Sequence, residues 1–121
     1  MNVGHEPTGG LPRNYLRACI VLLLNEQPSH GYDLIDGLGA LGLQGADPGG
    51  LYRALRAMEQ EDLVTSWWEE SSSGPARRSY SLTDEGREWL HAWAGTLGQV
   101  RQYLGVYLDR YAAKAYEMDR S

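Results

Sequence analysis

The residues best suited to chemistry in this sequence are two pairs of arginines. Arg53 and Arg56 lie in one short segment with a repeating apolar pattern, and Arg77 and Arg78 follow about 20 residues later in a turn-rich one. Arginine binds phosphate oxygens and pairs bidentately with guanine, whose O6 and N7 atoms both accept hydrogen bonds. The pattern indicates contact with double-stranded DNA, provided that the chain brings both pairs to one surface.

The first arginine pair is predicted to lie on a helix. Asp47 is a good N-cap, Pro48 suits the first helical turn, and Leu51, Leu55 and Met58 repeat along one apolar face. Two glycines leave the first turn bare enough for a phosphate or a base edge to come close. The alternative is a solvated helix face with pairing to Glu59 at a spacing of three residues. The predicted DNA contacts of this helix are Gly49, Gly50, Tyr52, Arg53 and Arg56.

The second arginine pair is predicted to lie on a β-hairpin. Residues 63–70 carry β-favouring side chains, residues 71–75 form a turn, and residues 76–82 form the return strand. Arg77 and Arg78 would contact phosphates or enter a minor groove, and the alternative is an exposed basic strand. Trp67 and Trp68 point to opposite faces of the first strand, so one is expected in the core and the other in solvent.

The preceding segment predicts two further helices. The first spans residues 13–26 and is apolar almost all round, which suggests that a partner chain covers its second side. Ser29 is predicted to cap the second helix, which opens with His30 and Tyr32. Both are candidate DNA contacts. We expect His30 to pack against its neighbours rather than to contact phosphate. Tyr32 is equally suited to a core position and to a DNA contact.

A long last helix is predicted from Thr83, a capping hydroxyl that Asp84 and Glu85 follow at the positive helix end. Its apolar residues recur at alternating spacings of three and four, a heptad stripe that a lone helix cannot bury. Trp89 and Trp93 could also hold a small aromatic or hydrophobic effector at a dimer interface, with plain dimer packing as the alternative. The stripe predicts a homodimer whose interface contains Leu90, Trp93, Leu97, Val100, Leu104, Tyr107 and Tyr111.

The composition limits the function classes. The net charge of −5 disfavours DNA binding, but four of the six basic residues up to Leu82 lie in the two arginine segments, which predicts a basic patch on an acidic body. No apolar run is long enough for a membrane span and no secretory signal is present, so a cytoplasmic protein is expected. The histidines and Cys19 lack metal-ligand spacing, and no catalytic pair or cofactor motif is found, so neither a metal, a cofactor nor an enzyme is expected.

Several motifs together resemble the PadR family of bacterial transcriptional regulators. The resemblance rests on His-Gly-Tyr at residues 30–32, Gly-Leu-Tyr-Arg-Ala-Leu at 50–55, and Gly-Pro-Ala-Arg-Arg-Ser-Tyr-Ser-Leu-Thr-Asp-Glu-Gly at 74–86. It implies a winged helix-turn-helix dimer, usually a repressor that binds a palindromic operator and is released by a small ligand. Asp62 departs from the family, which commonly has glycine there, and suggests a small strain or a shifted end of the third helix.

The predicted fold class is mainly α with a small β-hairpin wing: a winged helix-turn-helix with a long C-terminal dimerisation helix. The predicted organisation is a flexible arm at residues 1–12, a DNA-binding domain at 13–82 and the dimerisation helix at 83–121. Two other functions stay open. One is a winged domain that docks a protein rather than DNA, and the other is a small-molecule sensor with weak DNA affinity.

Overall fold

A computed structural model describes residues 14–120 of the chain, and their side chains over residues 14–117. The predicted arm, residues 1–12, and residue 13, where the first helix was expected to begin, lie outside this range. The elements in chain order are α1 (Tyr15–Glu26), β1 (Ser29–His30), α2 (Gly31–Ala40), α3 (Pro48–Gln60), β2 (Val64–Glu69), β3 (Arg77–Leu82) and α4 (Asp84–Arg120). The predicted fold class is confirmed: helices dominate, with a small antiparallel sheet and a long last helix.

The chain divides into two compact units, the first ending at Leu90 and the second beginning at His91. The division falls within α4. The predicted domain boundaries at residues 13 and 82 stay predictions. Within the described residues, no helix is long and apolar enough to cross a membrane.

The core of the first unit lies between the first three helices and the sheet. Four consecutive α1 residues, from Ala18 to Val21, are buried by the chain itself. Their burial needs no partner chain, so the argument from the apolar surface of α1 to a partner does not hold at these positions. Burial also raises the pKa of the Cys19 thiol. The buried core residues are Cys19, Ile20, Val21, Leu24, Leu34, Leu38, Leu51, Leu55, Met58, Leu63, Val64, Tyr80 and Leu82.

The sheet has the strand order β1-β3-β2, and both pairings are antiparallel. The sequence predicted the two hairpin strands, β2 and β3, but not β1. Ser29 and His30 pair with Tyr80 and Ser79, so the prediction that Ser29 caps α2 is wrong. The Ser29 hydroxyl donates to the Gln27 carbonyl instead, because pairing with β3 turns this residue away from the helix. His30 occupies the N-cap position without a side-chain capping bond.

The end of α3 explains the unusual residue Asp62. The amide of Leu63 donates to the Met58 carbonyl at 2.9 Å, and the amide of Asp62 donates to the Glu59 carbonyl at 3.1 Å. These are the two bonds of a Schellman motif, which places a left-handed residue just after the helix. Asp62 has φ 62° and is that residue. The left-handed backbone therefore lies at Asp62 itself, and the turn at this residue leads directly into β2.

The start of α4 is tied to the same turn. The Thr83 hydroxyl accepts from the Gly86 amide at 2.9 Å, which confirms Thr83 as the helix cap. That hydroxyl and the Thr83 amide also lie within hydrogen-bond distance of the Leu63 carbonyl, at 3.0 Å and 3.1 Å. A Cβ at Gly86 would lie 2.2 Å from the same carbonyl oxygen. The first turn of α4 thus sits directly on the chain that enters β2, and only glycine fits there.

Candidate nucleic-acid interface

A concavity of about 610 Å³ lies where the start of α2, one face of α3 and the β2–β3 hairpin meet. Most of the predicted DNA contacts line it, although they come from segments that are far apart in sequence. Its lining side chains include His30 and Tyr32 from the α2 side, Tyr52, Arg56 and Glu59 from α3, and Trp68, Arg77, Arg78 and Tyr80 from the hairpin.

The two arginines of α3 occupy different surroundings. Tyr52, Arg56 and Glu59 follow helical spacing and face the hairpin across the concavity. Arg53 is outside the concavity, with 74% of its side chain exposed, and its guanidinium lies 3.7 Å from the Asp47 carboxylate. We expected Arg53 and Arg56 to act as a pair, whereas the helix directs them to separate surfaces.

The first turn of α3 is less bare than the sequence suggested. The Asp47 carboxylate accepts from the amides of Gly49 and Gly50 at 3.3 Å and 3.1 Å, which confirms it as the N-cap. These amides already have an anionic partner, so a phosphate would have to displace it. The Arg53 guanidinium also lies close to both glycines, so the Asp47 and Arg53 side chains together occupy the first turn.

Tyr52 is positioned by a contact that sequence reasoning missed. A Cβ built at Gly31 would lie 2.2 Å from the Tyr52 hydroxyl oxygen and 2.6 Å from the ring carbon that bears it. The first residue of α2 must therefore be glycine for the tyrosine to lie across it. The signal was present in the sequence as His-Gly-Tyr, but nothing local connects that motif to a residue 21 positions later.

The hairpin arginines lie on opposite faces of β3. Arg78 is across the ladder from Trp68, with its guanidinium carbon 5.2 Å from the ring centroid, and its Nε donates to the Ser66 hydroxyl at 3.0 Å. Arg77 is across from Glu69. Within residues 14–117, Arg77 and Arg56 form no ion pair, so their charges are available to a ligand.

His30 joins α2 to the hairpin. Its Nδ1 lies 3.6 Å from the Asp33 carboxylate and its Nε2 lies 3.4 Å from the Glu69 carboxylate. The Ser79 hydroxyl donates to Glu69 and is the main cause that lowers the pKa of that carboxyl, with smaller contributions from His30 and Arg77. This arrangement agrees with the local packing role expected for His30. Tyr32, in contrast, is 76% exposed and is not a core residue.

The two tryptophans of β2 correct a prediction. One was expected in the core, but Trp67 is 41% exposed and Trp68 is 65% exposed. The core side of the sheet is already filled at Val64 and Tyr80, and Trp68 lies further along the same face of β2, where it is exposed. Trp68 therefore forms part of the concavity instead of the core.

The predicted effector and dimer residues divide between the two units. Trp89 and Leu90 pack against the core of the first unit and are partly buried there. Trp93, Leu97 and Val100 are partly buried in the second unit. The apolar surface further along α4 is wider than the predicted heptad stripe. Its exposed large residues are Tyr103, Leu104, Val106, Tyr107, Leu108, Tyr111 and Tyr116.

Comparison with known protein families finds a match that covers the helices and the hairpin around the concavity. The sequence model of the transcriptional regulator PadR-like family matches residues 20–92, which is more than half of the chain and includes every wall of the concavity. The chain belongs to the PadR-like family. PadR-like proteins are transcriptional regulators, which agrees with the expectation that this chain is not an enzyme.

Relatives of this PadR-like chain include the transcriptional regulator YqjI of Escherichia coli strain K12, with 32% identity over 77 residues. The match covers 62% of this chain and 35% of YqjI, so the chain spans about a third of that relative's length. A PadR family regulator from Clostridium difficile superposes with a TM-score of 0.70 at 26% identity, covering 78% of this chain and 98% of the other. Bacillus subtilis PadR, solved in complex with operator DNA, gives a TM-score of 0.62 at 25% identity over 69% of this chain and 48% of that one.

Proposed function

We propose that this PadR-like chain is a sequence-specific DNA-binding regulator that acts as a homodimeric repressor on a palindromic operator. The observation that carries the proposal is the concavity in which α3 and the hairpin present Arg56, Arg77 and Arg78 around aromatic side chains. The likeness to Bacillus subtilis PadR, which was solved with operator DNA, supports the same reading. The lining carries three arginines against one glutamate, Glu59, so it keeps a positive balance although the whole chain has a net charge of −5.

In the proposed complex, α3 enters the major groove and the hairpin holds the flanking backbone. Arg56 and Arg53 reach base edges or phosphates from two sides of the helix, and Tyr52 donates from its hydroxyl. Gly49 and Gly50 allow the helix start to come close to the backbone. Candidate contacts at the rim are His30, Tyr32, Arg77 and Arg78.

Dimerisation is proposed to use α4 beyond Leu90. Leu90 packs against the core of its own chain, so the surface free for a second copy begins further along the helix. Leu104, Tyr107 and Tyr111 of the predicted stripe are exposed there, and burying such side chains stabilises association. A dimer would hold two copies of α3 about one DNA turn apart, which suits a palindrome.

Release by a small ligand is the last part of the proposal. An effector that binds the DNA-free arrangement more tightly than the DNA-bound one shifts the population away from DNA. Trp93 lies in the second unit and offers a flat ring for a planar ligand. Trp89 is the weaker candidate, since it packs against the core of the first unit.

The decisive experiment is fluorescence anisotropy with the DNA upstream of the protein's own gene, against a random duplex, at two salt concentrations. We expect binding to prefer the upstream DNA and to weaken steeply with salt, because phosphate neutralisation releases counterions. Arg56→Ala should weaken binding and reduce the log–log salt slope by about one. Arg87→Ala is the matched control, because Arg87 pairs with Asp84 at the start of α4 and does not line the concavity.

A protein-docking module is the second candidate, favoured by the acidic composition and by the exposed ring of Trp67. It predicts no preference for upstream DNA over random DNA, and no effect of Arg56→Ala. A selection from genomic fragments that also enriches nothing would establish this reading in place of the DNA-binding one.

A further inference from the structure

Arg78 is held in place by three residues on two other elements. Its Nε donates to the Ser66 hydroxyl at 3.0 Å, and the Ser66 hydroxyl donates in turn to Glu59 Oε2 at 2.7 Å. A terminal guanidinium nitrogen of Arg78 lies 4.0 Å from Glu59 Oε1. The Trp68 ring covers one face of the guanidinium at 5.2 Å. We call Glu59, Ser66 and Trp68 the Arg78 clamp.

The direction of these bonds leaves part of the guanidinium free. Ser66 has one hydroxyl proton, which goes to Glu59, so Ser66 can only accept from Arg78. Of the five N–H donors of a guanidinium, the clamp uses Nε–H and leaves terminal N–H groups in the concavity. A fork fixed in this way loses less side-chain entropy on binding than a free arginine does.

Arg77 has a different environment. It lies on the opposite face of β3, is exposed, and forms no ion pair within the described side chains. An exposed cation of this kind adds electrostatic attraction to any phosphate, whatever the sequence. Discrimination between sequences requires donors at fixed positions, because the wrong base or groove shape then leaves them unpaired.

We propose that Arg78 is the arginine of the hairpin that discriminates between DNA sequences, and that Glu59, Ser66 and Trp68 are positioning residues that fix its guanidinium. The inference rests on the proposed DNA-binding function and adds a division of labour to it. Arg77 supplies affinity that is independent of sequence. Glu59 and Ser66 also link α3 to the hairpin. A change in the position of α3 would therefore change the orientation of the Arg78 guanidinium.

The test compares affinities for upstream DNA and a random duplex across a salt series, using the intact chain. Ser66→Ala leaves every charge in place and removes the support of Nε. We expect the preference for upstream DNA to fall by about tenfold, the size of one oriented arginine contact, with unchanged random-DNA affinity and salt slope. Arg78→Lys keeps the charge, loses the fork, and should behave in the same way. Arg77→Gln should weaken binding to both DNAs equally and lower the log–log salt slope by about one.

Two further variants separate positioning from folding and from charge. Thr65→Ala is the matched control, since Thr65 is the exposed neighbour on the other face of β2, and it should leave the preference unchanged. Glu59→Gln removes a negative charge, which by itself would strengthen binding to both DNAs equally. A reduced preference for upstream DNA supports positioning, whereas an equal gain on both DNAs overturns the role of Glu59. Melting temperatures report whether each variant is folded.

The outcomes distinguish this inference from the function on which it rests. If the wild-type chain shows no preference for upstream or selected DNA, the proposed function fails and the inference fails with it. If the wild type discriminates while folded Ser66→Ala and Arg78→Lys discriminate equally well, the DNA-binding function stands and the clamp is only structural.

Discussion

Arg53 and Arg56 illustrate how single residues of one type acquire different roles from their surroundings. Arg56 faces the concavity without an ion pair in the described range, whereas Arg53 lies 3.7 Å from Asp47 and is otherwise surrounded by solvent. An exposed pair of this kind contributes little to stability, but it reduces the charge that Arg53 offers to phosphate. We therefore assign Arg56 the larger share of the proposed interface.

Gly31→Ala should disturb Tyr52 directly. The added methyl would lie 2.2 Å from the tyrosine hydroxyl, so the ring must move and stability should fall by about 1–3 kcal/mol, as for other overpacked sites. Urea unfolding measures the loss. Because the clash involves only this pair, Tyr52→Ala should cost less in the Gly31→Ala background than in the wild type. Strictly additive effects in the double-mutant cycle would mean that the two residues are not coupled.

The pairing of Arg17 with Glu61 predicts a pH dependence of stability. Two hydrogen bonds of 2.9 Å from the Arg17 guanidinium hold the pKa of the Glu61 carboxyl below its ordinary value of 4.5. A lowered folded-state pKa gives stability that is present at neutral pH and is lost as the pH falls through the range below 4.5. Wild type should therefore melt slightly above Glu61→Gln at pH 7. The difference should shrink in acid, and a difference that grows in acid would contradict this account.

At the level of elements, the turn at residues 61–63 connects α3, β2 and α4. Its Asp62 and Leu63 amides donate the two Schellman bonds to carbonyls of α3, and its Leu63 carbonyl accepts from the Thr83 amide at the start of α4. The hairpin that carries Arg77 and Arg78 therefore begins from a point fixed by two helices. Substitutions at two positions of this junction should change stability in opposite directions. Replacing Gly86 should destabilise the chain, whereas introducing glycine at position 62 should stabilise it.

Gly86→Ala should strongly destabilise the chain. Its Cβ would lie 2.2 Å from the Leu63 carbonyl oxygen and 2.6 Å from a Leu82 methyl, and backbone cannot move aside as a flexible side chain does. We expect a loss of about 3 kcal/mol or more in the free energy of unfolding, at the upper end for overpacking. Gly95→Ala is the matched control in the same helix. No atom lies within 4 Å of its Cβ, so the change should add up to about 1 kcal/mol of helix stability.

Asp62→Gly should stabilise the chain. Asp62 has φ 62°, a left-handed conformation that costs an L-residue roughly 1–2 kcal/mol and costs glycine almost nothing. Part of the gain is offset by the greater flexibility of glycine in the unfolded chain, so an increase of about 1 kcal/mol or less is expected. Asp62→Ala should shift the denaturation midpoint in the opposite direction, since alanine lacks the polar group that eases this conformation. Equal midpoints for both variants would argue against strain at this site.

At the level of the whole molecule, the second unit leaves a broad apolar surface on α4 from Tyr103 to Tyr116. Among the described residues, the buried core residues all belong to the first unit, whereas these large apolar side chains of the second unit are exposed. A second copy of the chain would bury it, and two copies would also supply two sets of the concavity to a two-fold DNA site.

Leu104→Lys should break the proposed dimer. Leu104 lies on the predicted stripe and is exposed, so a charge there would be buried unpaired between two copies. Analytical ultracentrifugation should find two copies for the wild type and one for the variant, and affinity for a palindromic site should drop by more than about tenfold as avidity is lost. Gln102→Lys introduces the same charge at an exposed position off the stripe and should stay dimeric. A wild-type monomer at micromolar concentration would rule out the proposed assembly.

The sequence alone determined the elements whose signals are local. The caps Asp47 and Thr83, the helical spacing of Leu51, Leu55 and Met58, and the β-favouring residues around a Gly-Pro turn each depend on neighbours within a few positions. These signals were sufficient for the fold class and for the family. Most of the predicted DNA contacts also line the concavity, because helix and strand periods direct side chains in a fixed way.

Only the tertiary structure decided how those residues work together. The contact of Gly31 with Tyr52, the third strand at Ser29, and the hydrogen bonds from Arg78 through Ser66 to Glu59 join segments that no local pattern connects. The expectation that one of Trp67 and Trp68 lies in the core was wrong for the same reason, since strand alternation gives the face of a side chain but not whether a helix covers it. Periodicity fixes the direction of a side chain, and packing of distant elements determines what that side chain meets.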